Sequence, residues 1–289
     1  MKKIVLALGL MLACAASSAQ HPFQSRVLTD TIHSAALGVD RAVTVYLPRN
    51  FDADSTRTYP VLYLLHGMYG DNNGWFRDQK AHEVLDRLIA SGEAAEMVVV
   101  SPHAGGNPST EQNGYFNMPD WPYEDFFFGE LVPYIETRYR AGGSKARRAV
   151  AGLSMGGGGT TSYAQRHPDM FCAAYAMSAL MDIPQVNAVP SQSPDDKIAR
   201  LTRSVQDHSC VRYVAEADSA RQEKLRGVQW FVDCGDDDFL LDRNIEFVQA
   251  MHRAGVPLQF RVRDGGHDSE YWHTALYYCL PFVSRAFAR

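Results

Sequence analysis

The ten histidines of this 289-residue chain include no H-x-x-H or H-E-x-x-H spacing, so the commonest helical metal sites have no basis in it. A basic excess is also missing. Lys and Arg number 28 against 33 Asp and Glu, a net charge of −5 that gives neither nucleic acid nor an anionic membrane a reason to bind. Cysteine is scarce, five in all, and its spacing forms no disulfide framework. The apolar stretch Ile4 to Ala16 is too short for a membrane span, and no internal repeat or low-complexity segment breaks the chain. What remains, 46% hydrophobic and 21% charged, is ordinary globular composition, and no metal or other cofactor is expected.

The start of the chain reads as a targeting segment. Lys2 and Lys3 are basic, Ile4 to Ala16 is apolar, and Ser17-Ser18-Ala19 ends in small residues, which predicts a signal peptide over 1–19. A competing reading makes Cys14 a lipid-anchored first residue after Leu12-Ala13, a pattern that Met11 and Leu12 fit imperfectly. Either way the protein leaves the cytoplasm, for the periplasm or the medium, and 20–289 is expected to form one domain. In an oxidising compartment Cys172, Cys210, Cys234 and Cys279 allow two disulfides. Cys172 and Cys234 nevertheless sit in or beside apolar runs and read as small buried residues.

Residues 26–33 and 41–47 roughly alternate apolar and polar and predict two strands joined through Leu37-Gly38-Val39-Asp40. The runs 61–65, 97–101, 171–177, 228–232 and 258–262 predict buried strands, with helices over 79–91, 124–139, 244–254 and 269–287, the last with Pro281 as a candidate kink. Residues 103–123 form a long aromatic-bearing loop, and 181–226 break the rhythm as a partly helical insertion beside the sheet. Strand and helix in alternation argue for an α/β fold: a mostly parallel sheet covered on both faces, with ligands at the carboxyl ends of its strands.

One stretch organises the chemistry. Ala149-Val150-Ala151 leads into Gly152-Leu153-Ser154-Met155-Gly156, and a run of four glycines opens a helix to about Arg166. Strand, sharp turn and helix put the Ser154 hydroxyl at the apex, with a helix N-terminus behind it. A serine nucleophile needs a base. His267 lies on Gly265-Gly266-His267-Asp268, just after the last strand, where the chain order Ser, acid, His places it. His66 is the rival base, on a loop better suited to the oxyanion site. For the acid, Asp238 is preferred over Asp237 and then Asp233, because Phe239 and Leu240 would pack it inward while most of the Asp236-Asp237-Asp238 run faces water. The backbone amides of Met155 and Met68 are the candidate oxyanion donors. Trp75, Tyr115, Phe116, Trp121, Tyr271 and Trp272 are candidate substrate contacts, with Trp75, Tyr115, Trp121 and Trp272 foremost.

His66-Gly67, Gly-Leu-Ser-Met-Gly-Gly, Cys-Gly-x-x-Asp-Phe-Leu and Gly-Gly-His-Asp-x-x-Tyr-Trp, in that order over about 25 to 287, resemble the esterase D group. That group holds S-formylglutathione hydrolases, feruloyl and acetylxylan esterases of the first carbohydrate esterase family, and mycolyltransferases of the antigen 85 type. The resemblance implies an α/β-hydrolase fold, Ser154, Asp238 and His267 as triad, and Met68 and Met155 as oxyanion hole. It does not extend to 181–226. The expectation is therefore a secreted serine esterase acting on a small or polysaccharide-linked ester, feruloyl or acetyl, with no nucleic-acid partner. Acyl transfer to a sugar, or carbohydrate binding without catalysis, are the alternatives.

Overall fold

The computed structural model describes residues 24–183 and 196–289. The leader expected over 1–19 and the Pro184, Pro190 and Pro194 part of the insertion lie outside the described residues.

In chain order, β1 (Arg26–Ser34) and β2 (Val39–Leu47) form an antiparallel hairpin turned at Gly38, whose φ of 67° suits a residue without a Cβ. β3 (Val61–Leu65) is followed by α1 (Gly74–Arg77), α2 (Ala81–Ser91) and β4 (Val98–Pro102). The 103–123 loop carries a small hairpin, β5 (Asn117–Met118) with β6 (Trp121–Pro122). After α3 (Tyr123–Phe126), a π-helical turn over Phe127–Leu131 and α4 (Val132–Arg138) come β7 (Arg148–Leu153), α5 (Met155–Arg166) and β8 (Ala173–Met177). The insertion contributes α6 (Lys197–Asp207), α7 (Cys210–Ala215) and α8 (Ser219–Arg226). β9 (Gln229–Gly235), α9 (Leu241–Arg253), β10 (Gln259–Arg263) and α10 (Ser269–Phe287) close the chain.

Eight strands make one sheet in the order β1-β2-β4-β3-β7-β8-β9-β10, antiparallel at the first hairpin and at β2–β4, parallel from β4 onward. This is the α/β-hydrolase architecture, a mostly parallel sheet flanked by helices. Side chains alternate across it. Val61, Tyr63 and Leu65 of β3 join the core on one face, while Leu62 and Leu64 join α2 and α10 on the other. All five residues of β3 are buried, which is why this strand reads as a continuous apolar run.

Several boundaries move for local reasons. The helix expected from 79 starts at Ala81 because Lys80 takes a left-handed φ of 53°. The strand expected over 228–232, β9, runs on through Asp233 and Cys234 to Gly235, since β10 pairs with it as far as Arg263 opposite Gly235. Pro281 does not divide α10, which stays one element. Asp196, Ser209, Asp218 and Asp268 start α6, α7, α8 and α10 by accepting from the amide three residues on. The insertion packs beside the sheet on α5, with Gln165 Nε2 donating to Cys210 O at 3.0 Å. Cys172, Cys210, Cys234 and Cys279 are all free and buried, so neither of the two allowed disulfides is formed. Among the described residues, no helix is long and apolar enough to cross a membrane.

Candidate active site

Ser154 sits between β7 and α5 with φ 54° and ψ −119°, a conformation that costs a residue with a Cβ and persists only where its surroundings impose it. They do so here through three hydrogen bonds. Its amide donates to Met177 O at 2.9 Å, and its carbonyl accepts from Gly158 and Leu180 at 3.1 and 2.9 Å. The glycines behind it are required by close approach. A Cβ on Gly156 would stand 2.2 Å from Leu65 O, and one on Gly152 would stand 2.3 Å from Gly156 O. The helix thus packs onto the strands at backbone contact, and Ser154 projects from the carboxyl end of the sheet.

His267 follows β10 on a turn where Gly265 has φ 135°. The Asp238 and His267 loops meet through glycine as well, since a Cβ on Gly235 would lie 2.0 Å from Gly265 O. His267 Nε2 is 2.9 Å from Ser154 Oγ, and its Nδ1 is 2.9 and 3.1 Å from the two oxygens of Asp238. Asp238 is buried, and its Oδ1 also accepts from the Leu240 amide at 2.8 Å. Burial opposes its charge, but hydrogen bonds from His267, Leu240 and Ser178 outweigh that and hold the carboxyl below its usual range. Asp237 and Asp236 face water. Asp233 is fully buried in a separate network, accepting the Tyr175 and Tyr271 hydroxyls at 2.6 Å each and pairing with Arg261. The expected role of Phe239 is corrected. It is 76% exposed and does not pack the acid inward; Leu240 does that, while Phe239 lies over the His267 ring at 4.5 Å.

His66 cannot serve as the base. It is buried, its Nδ1 is 2.7 Å from Gly67 O, and its Nε2 accepts from the Ala104 amide at 2.9 Å, which requires the neutral Nδ1–H tautomer. Burial lowers its pKa to about 4. Its work is to orient a peptide. Gly67 O is held by His66 Nδ1–H and by the Gly70 amide at 3.0 Å, which turns the N–H of the same peptide unit, that of Met68, the opposite way. Asn113 Nδ2 holds the Met68 carbonyl at 2.6 Å. Neither the Met68 nor the Met155 amide is used in the backbone hydrogen bonds of the turns around it.

The depressed pKa of His66 has a measurable consequence. An unfolded histidine titrates near 6.5, the folded one near 4, so between these values the unfolded chain binds more protons and stability rises with pH. The contribution is complete above 6.5 and is lost as pH falls toward 4, about 3 kcal/mol in full. Denaturant unfolding at pH 7 and pH 4.5 should show wild type losing about 2 kcal/mol more than His66→Gln, whose side chain cannot titrate. Equal losses would mean that His66 is not held neutral.

A cleft of about 590 Å³ opens over Ser154 and His267. Its walls are mainly apolar, from Met68, Trp75, Leu153, Leu180, Ile183, Phe239, Leu240 and Trp272, with Asp182 and Arg243 adding charge. Of the expected substrate contacts, Trp75 and Trp272 line it, and Trp272 stands edge-on to His267 at 4.9 Å. Tyr115, Trp121, Phe116 and Tyr271 do not, because their rings or polar tips are engaged inside the protein. Tyr115 donates to His66 O at 3.0 Å and Trp121 to Gly114 O at 2.9 Å, Phe116 stacks on His208, and Tyr271 holds Asp233. These aromatics build the 103–123 loop and the β9 network. Sequence reasoning missed Phe239, Leu153, Leu180, Ile183 and Arg243. Only Phe239, a large apolar residue beside the acid, left a signal that could have been followed.

A family model named Esterase, described as "Putative esterase", matches residues 34–283. A solved structure of a ferulic acid esterase is 63% identical, with a TM-score of 0.89, covering 92% of this chain and 99% of that one. An endo-1,4-beta-xylanase/feruloyl esterase of Xylanibacter ruminicola is 27% identical over 251 residues, which is 85% of this chain and 30% of that protein. An acetyl esterase of Caldicellulosiruptor saccharolyticus is 21% identical over 281 residues, 91% of this chain and 96% of that one. The chain spans 30% of the length of the first curated relatives it matches.

Proposed function

The chain belongs to the Esterase family, and on that premise we propose that it is an exported serine esterase cleaving feruloyl esters of plant polysaccharide. The observation that carries the mechanism is the unbroken line Asp238, His267, Ser154 at hydrogen-bond distance on the wall of an apolar cleft. Ser154 Oγ attacks the ester carbonyl while His267 Nε2 takes its proton. Asp238 holds the proton-bearing Nδ1 in place and offsets the imidazolium charge. The amides of Met68 and Met155 receive the oxyanion, and His267 then returns the proton to the departing alcohol. Water, activated by the same imidazole, releases the acid from Ser154.

The acyl group is inferred from the cleft and the relatives together. An acetyl group would leave most of about 590 Å³ empty, whereas a phenylpropenoyl group can lie along Met68, Phe239 and Trp272. The 63% identical structure is named a ferulic acid esterase, which supports the same choice. The readout is relative kcat/KM on methyl ferulate, acetylated xylan and short p-nitrophenyl esters, because discrimination is expressed in that ratio. Methyl ferulate is expected to lead. Preference for acetylated xylan, with methyl ferulate inert, would refute the feruloyl assignment and leave the serine mechanism standing.

A further inference from the structure

Tyr69 and Phe239 are the most exposed large apolar side chains among the described residues, at 75% and 76%, whereas none of the others passes 53%. Single apolar side chains on a surface are ordinary and ask for no explanation. These two are set apart by their place. Both border the cleft that holds Ser154 and His267. The rest lie elsewhere: Val27, Val39, Phe260 and Val262 on β1, β2 and β10, and Tyr278 on α10 against the Arg261 guanidinium.

Each ring is one residue from the catalytic machinery. Tyr69 follows Met68, the candidate oxyanion donor, and Phe239 follows Asp238. The backbone is pinned beside both. Asn113 Nδ2 donates to Met68 O at 2.6 Å and the Gly70 amide to Gly67 O at 3.0 Å, so Tyr69 stands between two anchored residues. Phe239 lies between Asp238, which holds His267, and Leu240, whose amide donates to Asp238 Oδ1 at 2.8 Å. Rings presented on fixed loops lose little freedom when something binds them, and they hold it in register with the reacting ester.

The reaction says which part of the substrate meets them. A polysaccharide cannot enter a cleft of about 590 Å³, so the sugar that carries the ester must lie at the mouth. Its oxygen must also come within reach of His267 Nε2 to receive the proton, and Phe239 lies over that imidazole at 4.5 Å. A sugar ring has an apolar C–H face and a rim of hydroxyls, so one side suits a flat aromatic ring while the other stays in water. We propose that Tyr69 and Phe239 form an outer subsite that binds the glycosyl alcohol of the ester by stacking, and so set the preference for carbohydrate-linked over simple esters. The inference rests on the esterase reading above and names the alcohol that this reading leaves open.

The test compares a feruloylated xylan oligosaccharide with methyl ferulate, which share the acyl group and differ only in the alcohol. The readout is the ratio of the two kcat/KM values in wild type, Tyr69→Ala, Tyr69→Phe and Phe239→Ala, with melting temperatures. Tyr69→Ala should lower the ratio about 10-fold, roughly what one ring face taken out of water is worth. The change should appear in KM for the oligosaccharide and not in kcat, since stacking at the mouth acts alike on ground and transition states. Tyr69→Phe keeps the ring and should restore the ratio. Phe239→Ala should lower both rates, because this ring also borders the acyl group, and the oligosaccharide rate further. An exposed side chain supports little of the fold, so Tyr69→Ala should melt like wild type. Calorimetry with an unesterified xylan oligosaccharide should show binding about 10-fold weaker in Tyr69→Ala. An unchanged ratio and unchanged oligosaccharide binding in Tyr69→Ala would overturn the proposal, as would equal losses on both esters. Both feruloyl esters inert in wild type, with the oligosaccharide still bound through Tyr69, would instead refute the feruloyl reading and leave the subsite standing.

Discussion

Ser154→Ala is expected to lower kcat on methyl ferulate by about 10⁶-fold, since removing a nucleophile that works as a unit with its base costs nearly all of what the unit supplies. The size follows from the absence of a substitute. His66, the other histidine on the cleft, is held neutral by burial and spends both ring nitrogens on the backbone. The change is structurally mild. Ser154 is anchored through its backbone, by Met177 O and by the Gly158 and Leu180 amides, and its hydroxyl has His267 as partner. Melting should therefore stay near wild type, and methyl ferulate should still bind, measurable as protection or by calorimetry. Turnover within tenfold of wild type would remove Ser154 from the reaction.

The second large effect separates two adjacent aspartates. Asp238→Asn should lower kcat by about 10⁴-fold, as the amide favours the wrong imidazole tautomer. An asparagine NH₂ presented to Nδ1 draws a lone pair where the mechanism needs an N–H, which puts the proton on Nε2, facing Ser154. The Asn carbonyl can still accept from Leu240, so the loop should hold its shape. Asp237→Asn, in water one residue away, is expected to stay within twofold of wild type, the usual outcome for a surface change away from such features. The pair of variants, measured as kcat/KM across pH on one aryl ester, decides between them. A loss in Asp237→Asn with normal turnover in Asp238→Asn would assign the acid to the wrong residue.

The aspartate run shows how far local reasoning reached. That three adjacent carboxylates cannot all be buried put most of the run in water and pointed to Asp236, with Asp237 left as second choice for the acid; both Asp236 and Asp237 are exposed. The stated reason for choosing Asp238 was half right: Leu240 is buried, but Phe239 turns outward over His267. Which side chain turns inward on a short turn depends on what the neighbouring strand presents. Here that is Gly265, pressed against Gly235, and no pattern within the loop encodes it. The aromatic residues fared likewise. Trp75, Tyr115, Trp121 and Trp272 looked equivalent as residue types, yet only Trp75 and Trp272 reach the cleft.

The sequence by itself determined the class of fold and the order of its parts. Alternating apolar runs and amphipathic stretches dictate a covered parallel sheet, because each face must be buried by something. Glycines around Ser154 dictate a turn tighter than a Cβ allows. Those are local constraints, carried by consecutive residues, and they are legible one after another. Tertiary structure decided the contacts between loops far apart in the chain: the meeting of Asp238 and His267, the neutral His66 whose ring holds Gly67 O, and the apolar walls at Leu153, Leu180 and Ile183. The reason is physical. A hydrogen bond or a packed ring across 29 or 113 residues depends on where two strand ends are brought together, and no short-range periodicity carries that distance.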